Sequence, residues 1–280
     1  MSKKASRVNH MDVWRVLKLE TYTPFMNMAI DEAILRARVA ESVPNTLRFY
    51  RWKPSAVSIG KFQKLENEVN LENCRRLGVK VVRRISGGGT VYHDADDEVT
   101  YSVIAKTEDL GTNDIAEVYS RIYAAISEAL RLMGIPADYS AGDMKNCPNL
   151  TVNGKKISGS AQANKSGIVL QHGTLLLNVD LIKMFTLLRV PWADSCMQVV
   201  NVAKNKITSV QNELGHAVSP ETAANAIASG FRVALGIQAV ENVQTVEGEL
   251  TREEQELAEK LCREKYSTDE WNFNGKSLLG

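Results

Sequence analysis

The sequence predicts an α/β chain of the α+β type, with mixed, largely antiparallel sheets covered by helices. Three observations lead there. Short β-branched runs crowd the stretch from 46 to 104 and return at 150–179, so strands come in blocks rather than alternating with helices as a βαβ repeat would require. Helical spacing of apolar residues dominates 115–133 and the last third of the chain. Asn153-Gly154 between two such runs spells a tight hairpin, the strongest short turn signal in the chain.

In chain order, residues 13–19 alternate as a strand does, and Pro24 closes the loop after it. From Asn27 the apolar positions Met28, Ile30, Ala33, Ile34 and Ala37 mark one helix face, with Asp31, Glu32, Arg36 and Arg38 largely off it. Residues 46–50 and 56–59 read as strands around a turn at Lys53-Pro54. Asn70 caps a short helix that Gly78 stops. Residues 99–104 form a further strand, and the helix at 115–133 ends at Gly134. The hairpin at 150–157 opens a meander through 168–170 and 175–179. A helix at 180–188 stops before Pro191. Ser219-Pro220 starts one reaching about Leu235, with proline at the first helical position. Thr251 and Glu254 spell a capping box for a last helix to about Tyr266.

The 280 residues, 44% of them apolar, suffice for a sizeable core, and a net charge of +1 supplies no global field toward nucleic acid or membrane. Cys74, Cys147, Cys196 and Cys262 lie far apart. That spacing argues for reduced thiols in a cytoplasm and against a zinc site. Residues 1–11 read as a loose tail lacking the apolar core of a signal peptide, and no run is long enough to span a membrane. His10 and His216 stand in segments without a motif and read as surface residues.

Chemistry concentrates in four places. Val-Val-Arg-Arg-Ile-Ser-Gly-Gly-Gly-Thr-Val-Tyr-His-Asp, residues 81–94, joins fixed positive charge at Arg83 and Arg84 to three glycines with no Cβ to hold a ligand off the backbone. Such a turn suits an anion, though a glycine-rich hairpin with solvated arginines reads equally well. It is neither a Walker loop nor a dinucleotide fingerprint. The other places are Lys155 to Gln162, Gln171 to Thr174, and Cys147. By itself Lys156 reads as a turn lysine, and His172 as either a ligand-facing or a satisfied core histidine. Cys147 reads first as a structural thiol.

Together, Arg-Arg-x-Ser-Gly-Gly-Gly-Thr-Val-Tyr-His-Asp, Asn-Gly-Lys-Lys-Ile-Ser-Gly-Ser-Ala-Gln and Gln-His-Gly-Thr-Leu-Leu-Leu resemble, in order and spacing, the lipoate-protein ligase catalytic domain. Lys-Tyr-Ser-Thr-Asp-Glu-Trp-Asn at 265–272 resembles that family's closing signature. Asn-Met-Ala-Ile-Asp-Glu at 27–32 resembles its first helix. The resemblance implies the biotin/lipoate ligase catalytic-domain fold over residues 12–280. It implies a cytoplasmic enzyme that uses ATP and Mg²⁺ to turn lipoate into lipoyl-AMP. The lipoyl group then passes to a lysine of lipoyl domains: E2 subunits or the glycine-cleavage H protein. By that match Arg84, Gly87, Gly88, Gly89, Thr90, Val91, Tyr92, His93 and His172 would bind the ligand. Lys156 would clamp charge at the carboxylate and α-phosphate. No carboxylate spacing names the metal ligands. An ending at Gly280, without a further domain, points to a separate small subunit as partner.

Two other readings stand beside the ligase, which is ranked first. A cysteine-dependent octanoyltransferase shares the fold and Gly-Ser-Ala-Gln, and would carry octanoyl from acyl carrier protein to a lipoyl domain as a Cys147 thioester. Against it, Cys-Pro-Asn-Leu lacks a longer aromatic-rich insert, and Gly89 stands where that group tends to have arginine. A non-catalytic lipoyl-binding module is the third.

Overall fold

The structure, a computed structural model, describes residues 13–142, 147–234, 244–277 and 279. The expected tail and His10 lie outside them. The elements are β1 (Val13–Tyr22), α1 (Pro24–Val39), β2 (Asn45–Trp52), β3 (Ala56–Ile59), α2 (Leu65–Glu68), α3 (Leu71–Arg76), β4 (Lys80–Arg83), β5 (Val91–His93) and β6 (Glu98–Lys106). There follow α4 (Ile115–Leu132), β7 (Asp138–Ser140), β8 (Asn149–Val152), β9 (Lys155–Lys165) and β10 (Ile168–Leu176). The chain continues through α5 (Leu181–Leu187), α6 (Cys196–Ala203), α7 (Val210–Leu214), α8 (Pro220–Ala234), β11 (Gln244–Gly248), α9 (Arg252–Leu261) and α10 (Asp269–Asn274). Among the described residues no helix is long and apolar enough to cross a membrane.

An eight-stranded sheet in the order β11-β1-β2-β6-β10-β9-β8-β7 and a three-stranded sheet β4-β3-β5 carry these helices. In the large sheet β1 runs parallel to both its neighbours and the other pairs are antiparallel, which is the mixed sheet expected. One face packs on α4 and α8, whose apolar stripes meet Phe49, Tyr101, Val103 and Val169. Gly230 of α8 lies so close to α4 that a Cβ there would overlap the Ala125 carbonyl oxygen. The opposite face takes α1.

α1 differs from its sequence reading. Pro24 is its first residue, capped by the Thr23 hydroxyl, rather than the end of a loop. Asp31, Glu32 and Arg38, expected off the buried face, are 1%, 4% and 7% exposed. The helix is covered on two sides. Asp31 meets Arg48 of β2 at 2.7 Å, while Glu32 meets Lys265 at 2.9 Å and the Tyr266 hydroxyl at 2.5 Å, beyond the end of α9. Burial pushes both carboxyls up, but these partners outweigh it and hold them below the usual carboxylate range. Removing one partner of such a buried pair typically costs about 3–5 kcal/mol. The closing signature therefore serves the scaffold. Trp271 Nε1 donates to the Arg83 carbonyl at 2.8 Å, and Asn272 Oδ1 accepts from the Arg83 backbone at 2.8 Å.

The helix at 180–188, the helix from Ser219 and the Thr251 capping box lie where the sequence puts them, whereas the run expected at 175–179 ends at Leu176 and joins 168–170 in one strand, β10, that passes through His172-Gly173 unbroken. Leu235, the expected end of α8, lies outside the described residues. Four helices, α2, α6, α7 and α10, and the edge strands β7 and β11 carry no sequence reading. All are eight residues or fewer, too short for periodicity to register.

Candidate active site

The cavity floor is one face of the large sheet. Strand registers align Tyr50, Thr100, Thr174, Gly159 and Asn149 across β2, β6, β10, β9 and β8. The next row is Arg48, Ser102, His172 and Ala161. Because side chains alternate along strands, both rows face the α1 side.

Lys156 joins this face through an irregularity in β9. Leu150 pairs with Ser158 but Thr151 pairs with Lys156, so Ile157 is an extra residue. Ile157 packs into the core under α4, and Ser160 on that side bonds the Tyr123 hydroxyl at 2.8 Å. A bulge shifts the alternation by one residue and turns Lys156 to the cavity face with Gly159. Its Cε and Nζ both lie 2.6 Å from where a Cβ on Gly159 would stand. The Lys156 backbone is pinned by its N–H on the Lys206 carbonyl at 2.8 Å and its carbonyl on the Thr208 N–H at 2.9 Å.

The roof is the glycine loop between β4 and β5. A Cβ on Gly60 would overlap the carbonyl oxygen of Gly88, so residue 60 must be glycine for the loop to descend this far. Gly88 has φ +86°, and a Cβ there would stand 3.8 Å from Cys147 Sγ and 3.5 Å from Ala161 Cβ. Loop, thiol and sheet therefore meet at one point.

Cys147, Lys156, Arg84, Gly88, Gly89, Thr90, Val91, His93 and His172 all border one cavity. Met28, Tyr50, Trp52 and Thr100 form its inner end. Gly87 and Tyr92 do not border it. Tyr92 packs in the small sheet's core with its hydroxyl on Asp94 at 2.6 Å.

Arg84 does not present a free guanidinium. Its Nε donates to Ser86 Oγ at 3.1 Å, Nη1 to the Ser58 carbonyl and hydroxyl at 3.1 and 3.0 Å, and Nη2 to the carbonyls of Gly87 and Gly89 at 2.8 and 2.6 Å. These contacts use all five of its N–H donors. Burial brings its pKa down to about 10, with Cys147 pulling the other way. Arg83 likewise donates to the carbonyls of Gly60, Lys61, Gln63, Trp271 and Phe273. Arg84 holds the glycine loop by its carbonyls and Arg83 ties the segment after β3 to α10, instead of facing an anion.

Both histidines are engaged at both ring nitrogens. His172 meets Ser86 Oγ at 2.6 Å and Asp31 Oδ2 at 3.1 Å. His93 meets Ser58 Oγ at 2.8 Å and Glu98 Oε1 at 2.7 Å, and stacks on Trp52 at 4.0 Å. Asp31, His172, Ser86, Arg84, Ser58, His93 and Glu98 thus form one buried polar chain under the roof. Burial depresses the His172 pKa, against the pull of Asp31. Asp31, Ser58 and Ser86 escaped the sequence reading because only tertiary contacts link them.

At the mouth, Cys147 is exposed and free. Lys156 as a residue stays exposed, whereas its amine end is folded against Gly159 at the cavity wall. Crowding there pulls its pKa below the ordinary lysine value, and Cys147 opposes that pull. With solvent in reach, only the direction of this shift bears on the chemistry. An amine so placed gives up a proton more readily and responds to charge on the thiol.

The cavity thus has a glycine roof, an apolar inner end and, at its mouth, a thiol and an amine. The chain belongs to the lipoyl protein ligase A/B catalytic domain family, whose model matches residues 23–232. It is 35% identical to octanoyltransferase LipM of Brevibacillus brevis over 94% of this chain and 99% of that protein. Against octanoyltransferase LipM of Clostridioides difficile it is 36% identical, over 94% and 99%. Among solved structures it resembles a bipartite lipoate protein ligase of Thermoplasma acidophilum, studied with its E2 lipoyl domain. The TM-score is 0.80 and identity 30%, over 95% of this chain and 98% of that one. A lipoate-protein ligase A bound with ATP has TM-score 0.77 and 30% identity, over 92% and 98%.

These relatives overturn the ATP-dependent ligase reading that the sequence ranked first. Proteins matched at higher identity over nearly their whole length are octanoyltransferases. The site agrees, since Arg84 is spent on the loop's own carbonyls and Arg83 on those of residues 60–63 and 271–273. Among the described residues no group of three or more His, Cys, Asp or Glu could hold a metal ion. With every Arg84 donor taken, the described lining of the cavity offers no free guanidinium to a nucleotide's phosphate.

Proposed function

We propose that this protein is an octanoyltransferase that carries an octanoyl group from the thioester of an acyl carrier protein to a lysine of a lipoyl domain, through a thioester on Cys147. The observation that carries this reading is the convergence of Cys147 Sγ and the Lys156 amine on the cavity roofed by Gly88. Identity to octanoyltransferases over nearly the full length supports the donor chemistry. The Thermoplasma ligase studied with its E2 lipoyl domain supports the acceptor. Four free thiols fit a reducing cytoplasm.

In the first half-reaction the Cys147 thiolate attacks the donor's carbonyl carbon, forming one C–S bond. Collapse breaks the bond to the carrier sulfur, which leaves with a proton from the Lys156 ammonium. In the second, the acceptor's neutral amine attacks the same carbonyl. The Cys147 thiolate leaves, and the proton shed by the new amide nitrogen returns to Lys156. Gly87, Gly88 and Gly89, held by Arg84, keep the roof close to the acyl group. His93 and His172 brace the roof, while Met28, Tyr50 and Trp52 cover the chain's far end.

Incubation with octanoyl carrier protein, without ATP, followed by intact-mass analysis tests this. The expected outcome is one octanoyl adduct mapped to Cys147, lost in Cys147→Ala and discharged on adding a lipoyl domain. Transfer that survives Cys147→Ala, or that requires ATP, would overturn the proposal.

A further inference from the structure

Among the described residues, the polar side chains bordering the cavity divide sharply into committed and uncommitted groups. Tyr50, Trp52, Ser58, Arg84, Thr90, His93, Thr100 and His172 all bond within the protein. Three remain: the Cys147 thiol, the Lys156 amine and the Thr174 hydroxyl. The mechanism above uses the first two.

Thr174 is 8% exposed and borders the cavity. It stands on β10 directly opposite Gly159 of β9, and directly opposed residues hold their Cβ positions about 4.5–5.5 Å apart. The Lys156 amine fills the Cβ position that Gly159 leaves empty. The hydroxyl and the ammonium are therefore neighbours across the ladder, on the same face. Threonine is stiff at χ1, so its hydroxyl is held with little freedom to lose. Among the described residues Thr174 makes no hydrogen bond to another side chain or to the backbone and opens on the cavity, so its hydroxyl is available to a bound oxygen.

We propose that Thr174 is a further catalytic residue, whose hydroxyl donates a hydrogen bond to the acyl carbonyl oxygen as that oxygen gains negative charge. The inference rests on the transferase reading. When the Cys147 thiolate adds to the carbonyl carbon, the carbonyl π pair moves onto oxygen, between Thr174 Oγ1 and the Lys156 ammonium. When the intermediate collapses, that pair re-forms the carbonyl and the carrier's C–S bond breaks. Thr174 keeps its proton throughout, so it stabilises charge without titrating.

The test is the single-turnover rate of Cys147 acylation by octanoyl carrier protein in Thr174→Val, Thr174→Ala and Thr174→Ser. Loss of one such donor lowers the rate by about 10²-fold or more. Thr174→Val, which keeps the shape, is expected to show that fall with KM for the donor nearly unchanged, and Thr174→Ser to recover most of it. Should Thr174→Val fail to fold, Thr174→Ala gives the same reading. Acylation at the wild-type rate without the hydroxyl, or a loss confined to KM, would overturn the role of Thr174 alone. Absence of any Cys147 adduct in the wild-type protein would instead bring down the transferase reading, and this inference with it.

Discussion

The amine of Lys156 fills the space that a side chain on Gly159 would occupy. The two residues are three apart on one strand, yet share a face because the bulge at Ile157 reverses the alternation between them. That relation is what turns a hairpin lysine into a cavity residue.

Gly159→Ala follows directly. The new methyl would stand 2.6 Å from Cε and Nζ of Lys156. Those atoms end a flexible side chain that can swing away, so the fold is retained. Displacing a reacting group by about 1 Å costs on the order of 10²-fold in rate. The expected outcome is acyl transfer lowered by about that factor with an unchanged thermal midpoint. Full activity in Gly159→Ala would show that the amine's position is immaterial.

Gly60→Ala probes the roof. Here the obstacle is the backbone carbonyl of Gly88, which cannot rotate aside. Overpacking of this kind costs about 1–3 kcal/mol. Urea unfolding should report a loss in that range, with Cys147 acylation slowed because the loop is lifted. A variant as stable and as active as wild type would contradict the close approach.

Acid should destabilise the protein earlier than its carboxylates alone predict. Burial lowers the His172 pKa from its ordinary 6.5, against the opposing effect of Asp31. The unfolded chain therefore binds a proton below that pH which the folded chain refuses, so stability present above about pH 6.5 is lost as pH falls. Asp31 and Glu32, depressed from 3.8 and 4.5, lose their contribution only at still lower pH. The thermal midpoint is expected to fall between pH 7 and 5, and the slope to flatten in His172→Gln. Identical slopes in the two proteins would exclude His172 as the source.

Much of the fold was legible in local signals. The hairpin at Asn153-Gly154, the cap at Asn70 and the Thr251 capping box are all where their residues imply, because each is made by neighbours in sequence. The short helices α2, α6, α7 and α10 were not, because fewer than three turns leave no periodic trace. Asp31 and Glu32 misled for another reason. A helix covered by a sheet on one side and by a second helix on the other can bury charge wherever partners await it, and Arg48 and Lys265 are remote in sequence.

The chain alone determined which chemical groups are available: a glycine triplet beside two arginines, a lysine after a tight turn, and a cysteine a few residues before it. Whether those groups could act together was decided only by folding. Strand register put Thr174 opposite Gly159, a bulge turned Lys156 to face Cys147, and buried carbonyls absorbed Arg83 and Arg84. A side chain's direction on a sheet depends on pairing with distant strands, and a donor's freedom depends on which acceptors surround it. Neither is written in the spacing of residues along one chain.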